Sequence, residues 1–334
     1  MTQLQAASAH QYAPAPRADP AAALTPWAGP PGDALGESTA AWLAAKKPTT
    51  REAYRRDLAA WAAFCRARGA HPLTARKVDA DLFGAWLQEP GGARRLSATS
   101  AARRMAAVSS WYRYLVATDV HDRNPFAAAE RPKVDRDYSA TAWLDRAEAM
   151  RLLAAADAAG GATRLRDAAM VRLMLQLGVR VTEVCSLPLD ALGQAAGQRT
   201  VTISGKGGKR VARALPAPAA AALDAYLDSR AQREGARPQH GPLFVTSTGR
   251  AVDRVEVFRL VRRLAQAAGL PDAQAVTPHA LRHTFATLAT QRGADLDDLQ
   301  DAMGHADPRT TRRYQRAARR LERDPAHLVA AALG

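Results

Sequence analysis

Only one stretch of this chain alternates polar and apolar residues with a period of two. It is "RTVTISGKGGKRVARALP", residues 199–216, broken by Gly207-Gly208. Such alternation around a Gly-Gly pair predicts a β-hairpin. Every other patterned segment repeats at helical spacing, so the chain can only be mostly α with a small antiparallel β-sheet or hairpin. In "PTTREAYRRDLAAWAAFCRARG" the apolar residues Tyr54, Leu58, Trp61 and Cys65 fall on one helical face, Thr49 or Thr50 is the expected N-cap, and Gly69 ends the helix. "VDADLFGAWLQ" and "SATSAARRMAAVSSWYRYLVA" read as two more helices. Further helices are expected at about 145–158 with Asp145 as N-cap, 163–178, 217–234, 253–268, and from 277 to the end.

A length of 334 residues suits two domains. Residues 1–36, rich in Ala and Pro, read as a disordered tail. Residues 37–128 form a helical domain, 129–141 a linker, and 142–334 a second domain. No apolar run approaches the roughly 18 residues of a spanning helix, and the start lacks a secretory leader. Cys65 and Cys185 make no pattern and read as reduced core thiols, which places the protein in the cytoplasm. The net charge is +15, and residues 41–134 carry 17 basic against 8 acidic side chains. A compact basic segment is the electrostatic footprint of a nucleic-acid binder, although a basic solvated surface has the same composition. Arg51, Arg55, Arg56, Arg103 and Arg104 are its candidate DNA contacts.

Four constellations carry chemistry. In "LGVRVTEVCSL", Arg180 and Glu183 are three apart, a spacing that lets a carboxylate orient a guanidinium but also that of an ordinary surface ion pair. "SGKGGKR" puts Lys206 at the hairpin tip; it lacks the ending of a Walker loop. In "TPHALRHTFATL", His279 and His283 are one turn apart with Arg282 between them. Two such histidines can hold zinc, but a zincin needs a Glu after the first, and Ala280 stands there. His279 and Arg282, three apart, can instead face one phosphate, with His283 as a core or capping residue. In "MGHADPRTTRRY", His305 follows a glycine turn, Asp307 or Pro308 opens a new helix, and Tyr314 lies nine residues beyond His305.

Taken in order, these motifs resemble those of the tyrosine recombinase (phage integrase) family, of the Xer-like two-domain kind. That family has a Gly-Leu-Arg-hydrophobic-Ser/Thr-Glu box, a Gly-Lys-Gly hairpin, a His-x-Leu-Arg-His-Thr-Phe-Ala-Thr helix, a Leu-Gly-His turn, and a Tyr nine residues past that His. The resemblance spans about residues 38–325. Val179 and Met303 replace leucines, and "YQRA" replaces a common Tyr-Thr-His, none at a candidate catalytic position. The segment after Tyr314 is nearer to integrase-like members than to Xer resolvases, which leaves integration, excision, transposition or resolution open.

The resemblance implies a C-shaped, two-domain DNA clamp in which residues 37–128 are the core-binding domain. It implies Tyr314 as nucleophile, forming a 3′-phosphotyrosine, with Arg180, Arg282, His279 and His305 around the phosphate. Lys206 protonates the 5′-oxygen and Glu183 supports Arg180. No metal and no nucleotide cofactor is expected. The partners implied are double-stranded DNA and three further copies: a homotetramer on two recombination sites, a monomer or weak oligomer when free, and no membrane. A terminal helix opening at Pro325 is expected to exchange between protomers. A type IB-like topoisomerase would share the chemistry, and a DNA-binding regulator without catalysis would share the fold.

Overall fold

The computed structural model describes residues 33–89, 95–133, 143–205, 208, 210–236, 238–304 and 330. The chain divides into two compact units, residues 1–135 and 136–334.

The first unit holds α1 (Ala34–Ala44), α2 (Pro48–Ala67), α3 (Lys77–Trp86) and α4 (Ala98–Ala117). Helix α1 is an addition to the sequence reading. It begins inside the stretch read as tail, where the Asp33 side chain accepts from the N–H groups of Leu35 and Gly36. Residues 1–32 of that tail lie outside the described residues. Helix α2 starts at Pro48, with Lys47 in the N-cap position and no side-chain cap. Thr49 and Thr50 are therefore not caps but first-turn residues. Pro at the first helical position has its ring torsion preset and no N–H to leave unpaired. The core is aromatic. Trp61 packs on Phe64, Phe83, Tyr112 and Phe126, and its indole N–H donates to the Tyr112 hydroxyl at 3.1 Å, which donates to the Pro72 carbonyl at 2.8 Å. Large rings thus bury area without leaving a polar atom unpaired.

The second unit holds α5 (Arg146–Ala158), α6 (Arg164–Leu177), α7 (Val181–Cys185), β1 (Leu192–Ala195), β2 (Gln198–Ser204), β3 (Arg210–Ala214), α8 (Ala217–Glu234), α9 (Arg254–Ala267), α10 (Pro278–Gln291) and α11 (Leu296–Met303). Asp145 and Glu148 form a reciprocal capping box on α5, the expected start. The expected hairpin is β2–β3. It gains β1 on its other side, and the antiparallel order is β1-β2-β3. Helices are expected from 277 onward, and the first boundary among them follows Gln291. Helix α10 ends at Gln291, Gly293 takes the left-handed conformation, and Asp295 caps α11. The core centres on α6, with Ala169, Met170, Leu173 and Met174 fully buried against α5, α8 and α10. The Leu144 N–H donates to the buried Thr284 hydroxyl at 2.8 Å, which ties the start of this unit to α10.

Among the described residues no helix is long and apolar enough to cross a membrane. Cys65 is buried, Cys185 is half-buried, and neither is disulfide-bonded. Burial pushes the Cys65 thiol up to about 12 and the Cys185 thiol up to about 11, so both are poor nucleophiles.

Candidate active site

The site assembles around the carboxyl end of α11. The first arginine reaches it because α6 stops abruptly. Gly178 takes φ 65°, ψ 25°, and a Cβ there would stand 2.3 Å from Cδ1 of Phe285. Only glycine meets both demands. The chain then turns through buried Val179 into Arg180, which stands just before α7. Glu183 Oε2 accepts from the Arg180 backbone N–H at 2.7 Å, and Oε1 accepts from the Arg180 guanidinium at 2.7 Å. Glu183 is buried while the Arg180 side chain is 36% exposed. This is therefore not the ordinary surface pair that the spacing allowed. The carboxylate is fixed by a helix start and leaves Arg180 further donors, two of which go to the carbonyls of Met303 and Gly304 at 3.1 Å.

The second arginine comes from α10. Thr277 caps that helix, accepting from Ala280 N–H at 3.2 Å, and Pro278 fills its first turn. His279 and Arg282 follow. Arg282 is only 3% exposed. Its two terminal nitrogens donate to the carbonyls of Gly178 and Met303. Arg180 and Arg282 thus converge on one oxygen, that of Met303. The last carbonyls of a helix have no partner within it and carry the negative end of its dipole, so they suit guanidinium donors.

His279 is half-buried. Burial, followed by the charges of Arg282 and Arg180, holds its imidazole below the usual histidine range. Both effects favour its neutral form, which can accept a proton. Its ring meets that of His283 edge-on, centroids 4.7 Å apart, and His283 is buried, the core position expected of it. A pair of histidines beside two guanidiniums is a poor cage for a cation, because like charges surround it.

Sequence reasoning missed Arg213. This residue lies on β3 opposite Val201 and donates to the Ala302 carbonyl. Burial lowers its pKa, and the nearby Glu183 carboxylate raises it. The available signal was a charged residue at the inward phase of "VARAL". Lys206, His305 and Tyr314 lie outside the described residues, as do Asp307, Pro308 and the terminal helix at Pro325. Lys206 falls between β2 and β3 in the chain, and His305 follows α11 by two residues.

The five candidate DNA contacts of the first unit are engaged within their own chain. Arg51 donates to the carbonyls of Leu43, Ala44 and Lys46, capping the end of α1. Arg55 and Arg56 pair with Glu52. Asp57, 1% exposed, accepts both forks of Arg103 at 2.6 Å and Arg104 Nε at 3.1 Å. Arg103 remains 51% exposed while its plane is fixed.

Residues 142–320 match the phage integrase family and residues 43–119 its N-terminal SAM-like domain. The chain is 36% identical over 293 residues to tyrosine recombinase XerD of Caulobacter vibrioides, covering 86% of this chain and 93% of that protein. It is 34% identical over 267 residues to tyrosine recombinase XerC of Pelobacter propionicus, covering 80% of this chain and 84% of that one. These relatives are Xer proteins. The fold is similar to that of the XerH site-specific recombinase bound to its palindromic difH substrate, with a TM-score of 0.67 at 23% identity over 85% of this chain and 79% of that one. With these matches and the ordered motifs, the chain belongs to the phage integrase family of tyrosine recombinases.

Proposed function

We propose that this tyrosine recombinase carries out site-specific recombination of double-stranded DNA, with Arg180, Lys206, His279, Arg282, His305 and Tyr314 as its catalytic residues and Glu183 in support. One observation carries the reading: two guanidiniums from distant segments, Arg180 and Arg282, donate to a single oxygen, and their charges reach the half-buried imidazole of His279. A scissile phosphate would take the place of that oxygen. Guanidinium forks suit its non-bridging oxygens, and they act most strongly as negative charge builds at phosphorus.

The steps balance without an energy source. Tyr314 Oη attacks phosphorus and its proton passes to His279. The P–O5′ bond breaks, and Lys206 protonates the departing oxygen. His305 donates to the phosphoryl group. The 3′-phosphotyrosine keeps the energy of the phosphodiester, and reversal by a different 5′-hydroxyl joins new partners through a Holliday junction. The relatives carry the name of recombinases, and the XerH neighbour is bound to its difH substrate, which supports DNA as the substrate here. Arg103 and Arg104, with Arg51, Arg55 and Arg56 beside them on the first unit, are proposed to meet the phosphate backbone. Residues 37–128 would then be the core-binding domain, joined by the linker 129–141 to the catalytic domain 142–334. The enzyme works as a tetramer on two sites in the cytoplasm, on the nucleoid, with the terminal helix exchanged between protomers.

The test is Tyr314→Phe on a nicked half-site substrate. The variant should bind DNA as wild type does and yield no covalent adduct. A trapped adduct from this variant overturns the assignment.

A further inference from the structure

Arg213 has no part in the steps above, yet it is the third guanidinium on the same helix end. β3 is an edge strand, and its half-buried side chains are Val211 and Arg213. A cation on that inward phase loses hydration, which the carbonyl of Ala302 offsets. The end of α11 therefore presents Ala302 to Arg213, Met303 to Arg180 and Arg282, and Gly304 to Arg180. Strand β3, the start of α7, and α10 are all pinned to one turn of backbone.

The three pins differ in what the reaction asks of them. Arg180 and Arg282 must turn donors toward phosphate oxygens, and each donor that leaves Met303 or Gly304 releases a carbonyl at the end of α11. Arg213 can keep its bond throughout. It also lies close enough to Glu183 to feel the charge of the carboxylate that aligns Arg180. An anchor that stays in place lets the forks change partner without the helix end drifting, and small displacements of such groups are costly to rate.

We propose that Arg213 is a positioning residue for strand cleavage: through its bond to Ala302 it holds the carboxyl end of α11 and the neighbouring Glu183–Arg180 pair in register while Arg180 and Arg282 engage the scissile phosphate. The inference rests on the assignment of those two arginines to phosphate.

The experiment measures single-turnover adduct formation by the full chain on a half-site suicide duplex. Wild type, Arg213→Met, Arg213→Lys and Arg180→Ala are compared, with DNA affinity and melting temperature alongside. Arg213→Met should bind within about 2-fold of wild type and cleave about 10- to 100-fold more slowly at saturating DNA. Arg213→Lys, which can still reach a carbonyl, should recover part of the rate. A substrate with a methylphosphonate at the scissile position has one charged oxygen fewer to hold. On it, the deficits of Arg180→Ala and Arg213→Met relative to wild type should both shrink, whereas a fault of general folding would persist. If Arg213→Met does not fold, Arg213→Lys carries the test, with a smaller loss that also shrinks on the neutral substrate. Cleavage by the folded Arg213 variants within 2-fold of wild type overturns the inference, as does a loss confined to binding or one equal on both substrates. Normal cleavage by Arg180→Ala would overturn the phosphate assignment itself. Normal cleavage by the Arg213 variants beside an inert Arg180→Ala overturns the inference alone.

Discussion

Replacing Gly178 by alanine tests the joint on which the site turns. Two costs arise at once. The left-handed conformation, φ 65°, costs an L-residue about 1–2 kcal/mol. The new Cβ would stand 2.3 Å from Cδ1 of Phe285 and under 3 Å from two more ring atoms, and such overpacking costs about 1–3 kcal/mol. Stiffening of the unfolded chain returns about 0.4–1 kcal/mol. The net is on the order of 3 kcal/mol, which lowers the melting temperature of a unit this size by about 6–12 °C. Calorimetry of the full chain, following the transition of the second unit, reads the shift. Phe285→Leu in the same background removes the ring but not the backbone strain. The double variant should therefore be more stable than the sum of the two single changes predicts. A Gly178→Ala melting temperature within 1 °C of wild type would refute the reasoning. So would strict additivity with Phe285→Leu, which would mean that the ring does not meet the new methyl. Phe285 lies three residues beyond Arg282 on α10, so cleavage per folded molecule should fall as well.

If Lys206 protonates the 5′-oxygen, Lys206→Ala should fail on normal DNA but cleave a substrate with bridging 5′-sulfur at near wild-type rate, since a thiolate leaves without a proton; rescue of Arg180→Ala by the same sulfur would contradict this division. Removing a partner from a fully buried ion pair costs about 3–5 kcal/mol, but half-exposed Arg103 can rehydrate, so Asp57→Ala should destabilise the first unit by about 2 kcal/mol; urea unfolding that leaves this unit's midpoint unmoved would count against it. His279 is held below the ordinary imidazole value of 6.5, so the acid limb of the cleavage rate that reports it should lie below pH 6.5. By linkage the unfolded chain binds the proton more readily, and the stability from neutral His279 is present above pH 6.5 and lost as pH falls through the folded value; a limb above 6.5 that disappears in His279→Gln would reverse the assignment.

What the sequence disclosed depended on whether the signal was local. The hairpin was legible because "RTVTISGKGGKRVARALP" is the one alternating stretch. Strand β1 was not, because Leu192-Gly193-Gln194-Ala195 alternates nothing and exists by pairing with β2. Helix α1 was obscured by alanine on both sides of its cap, which gives periodicity no contrast. The break between α10 and α11 has its signals in Gly293 and Asp295, but the helical period does not change across them, so helices expected from 277 onward carry no boundary at that point. Arg180, Glu183, His279 and Arg282 were legible as spacings. Their meeting point was not, since the bonds to Met303 and Gly304 join residues more than 100 positions from Arg180. Arg213 could not be valued without that meeting point.

The choice of partner at this point bears on the proposed chemistry. Among the described residues, the guanidiniums of Arg180, Arg213 and Arg282 gather at backbone carbonyls of the end of α11, with Glu183 paired to Arg180. A carboxylate in place of the Met303 or Ala302 carbonyl would give the same order but would oppose an incoming phosphate by like charge. Backbone carbonyls orient donors through partial charge alone. They satisfy the guanidiniums in the absence of DNA and yield to a full anion, because a phosphate meets the guanidinium charge with a full opposite charge and a bidentate fork where a carbonyl offers only a partial one. Burial, with the charges of Arg282 and Arg180 added to it, holds His279 below the usual histidine range, so the cations that stabilise the phosphoryl oxygens also help keep ready the group proposed to take the tyrosine proton. Positive charge retained at a half-buried site contributes most where negative charge increases during the reaction. A helix terminus that binds arginine without cancelling it is, on this view, what lets one cluster both fold alone and act on DNA.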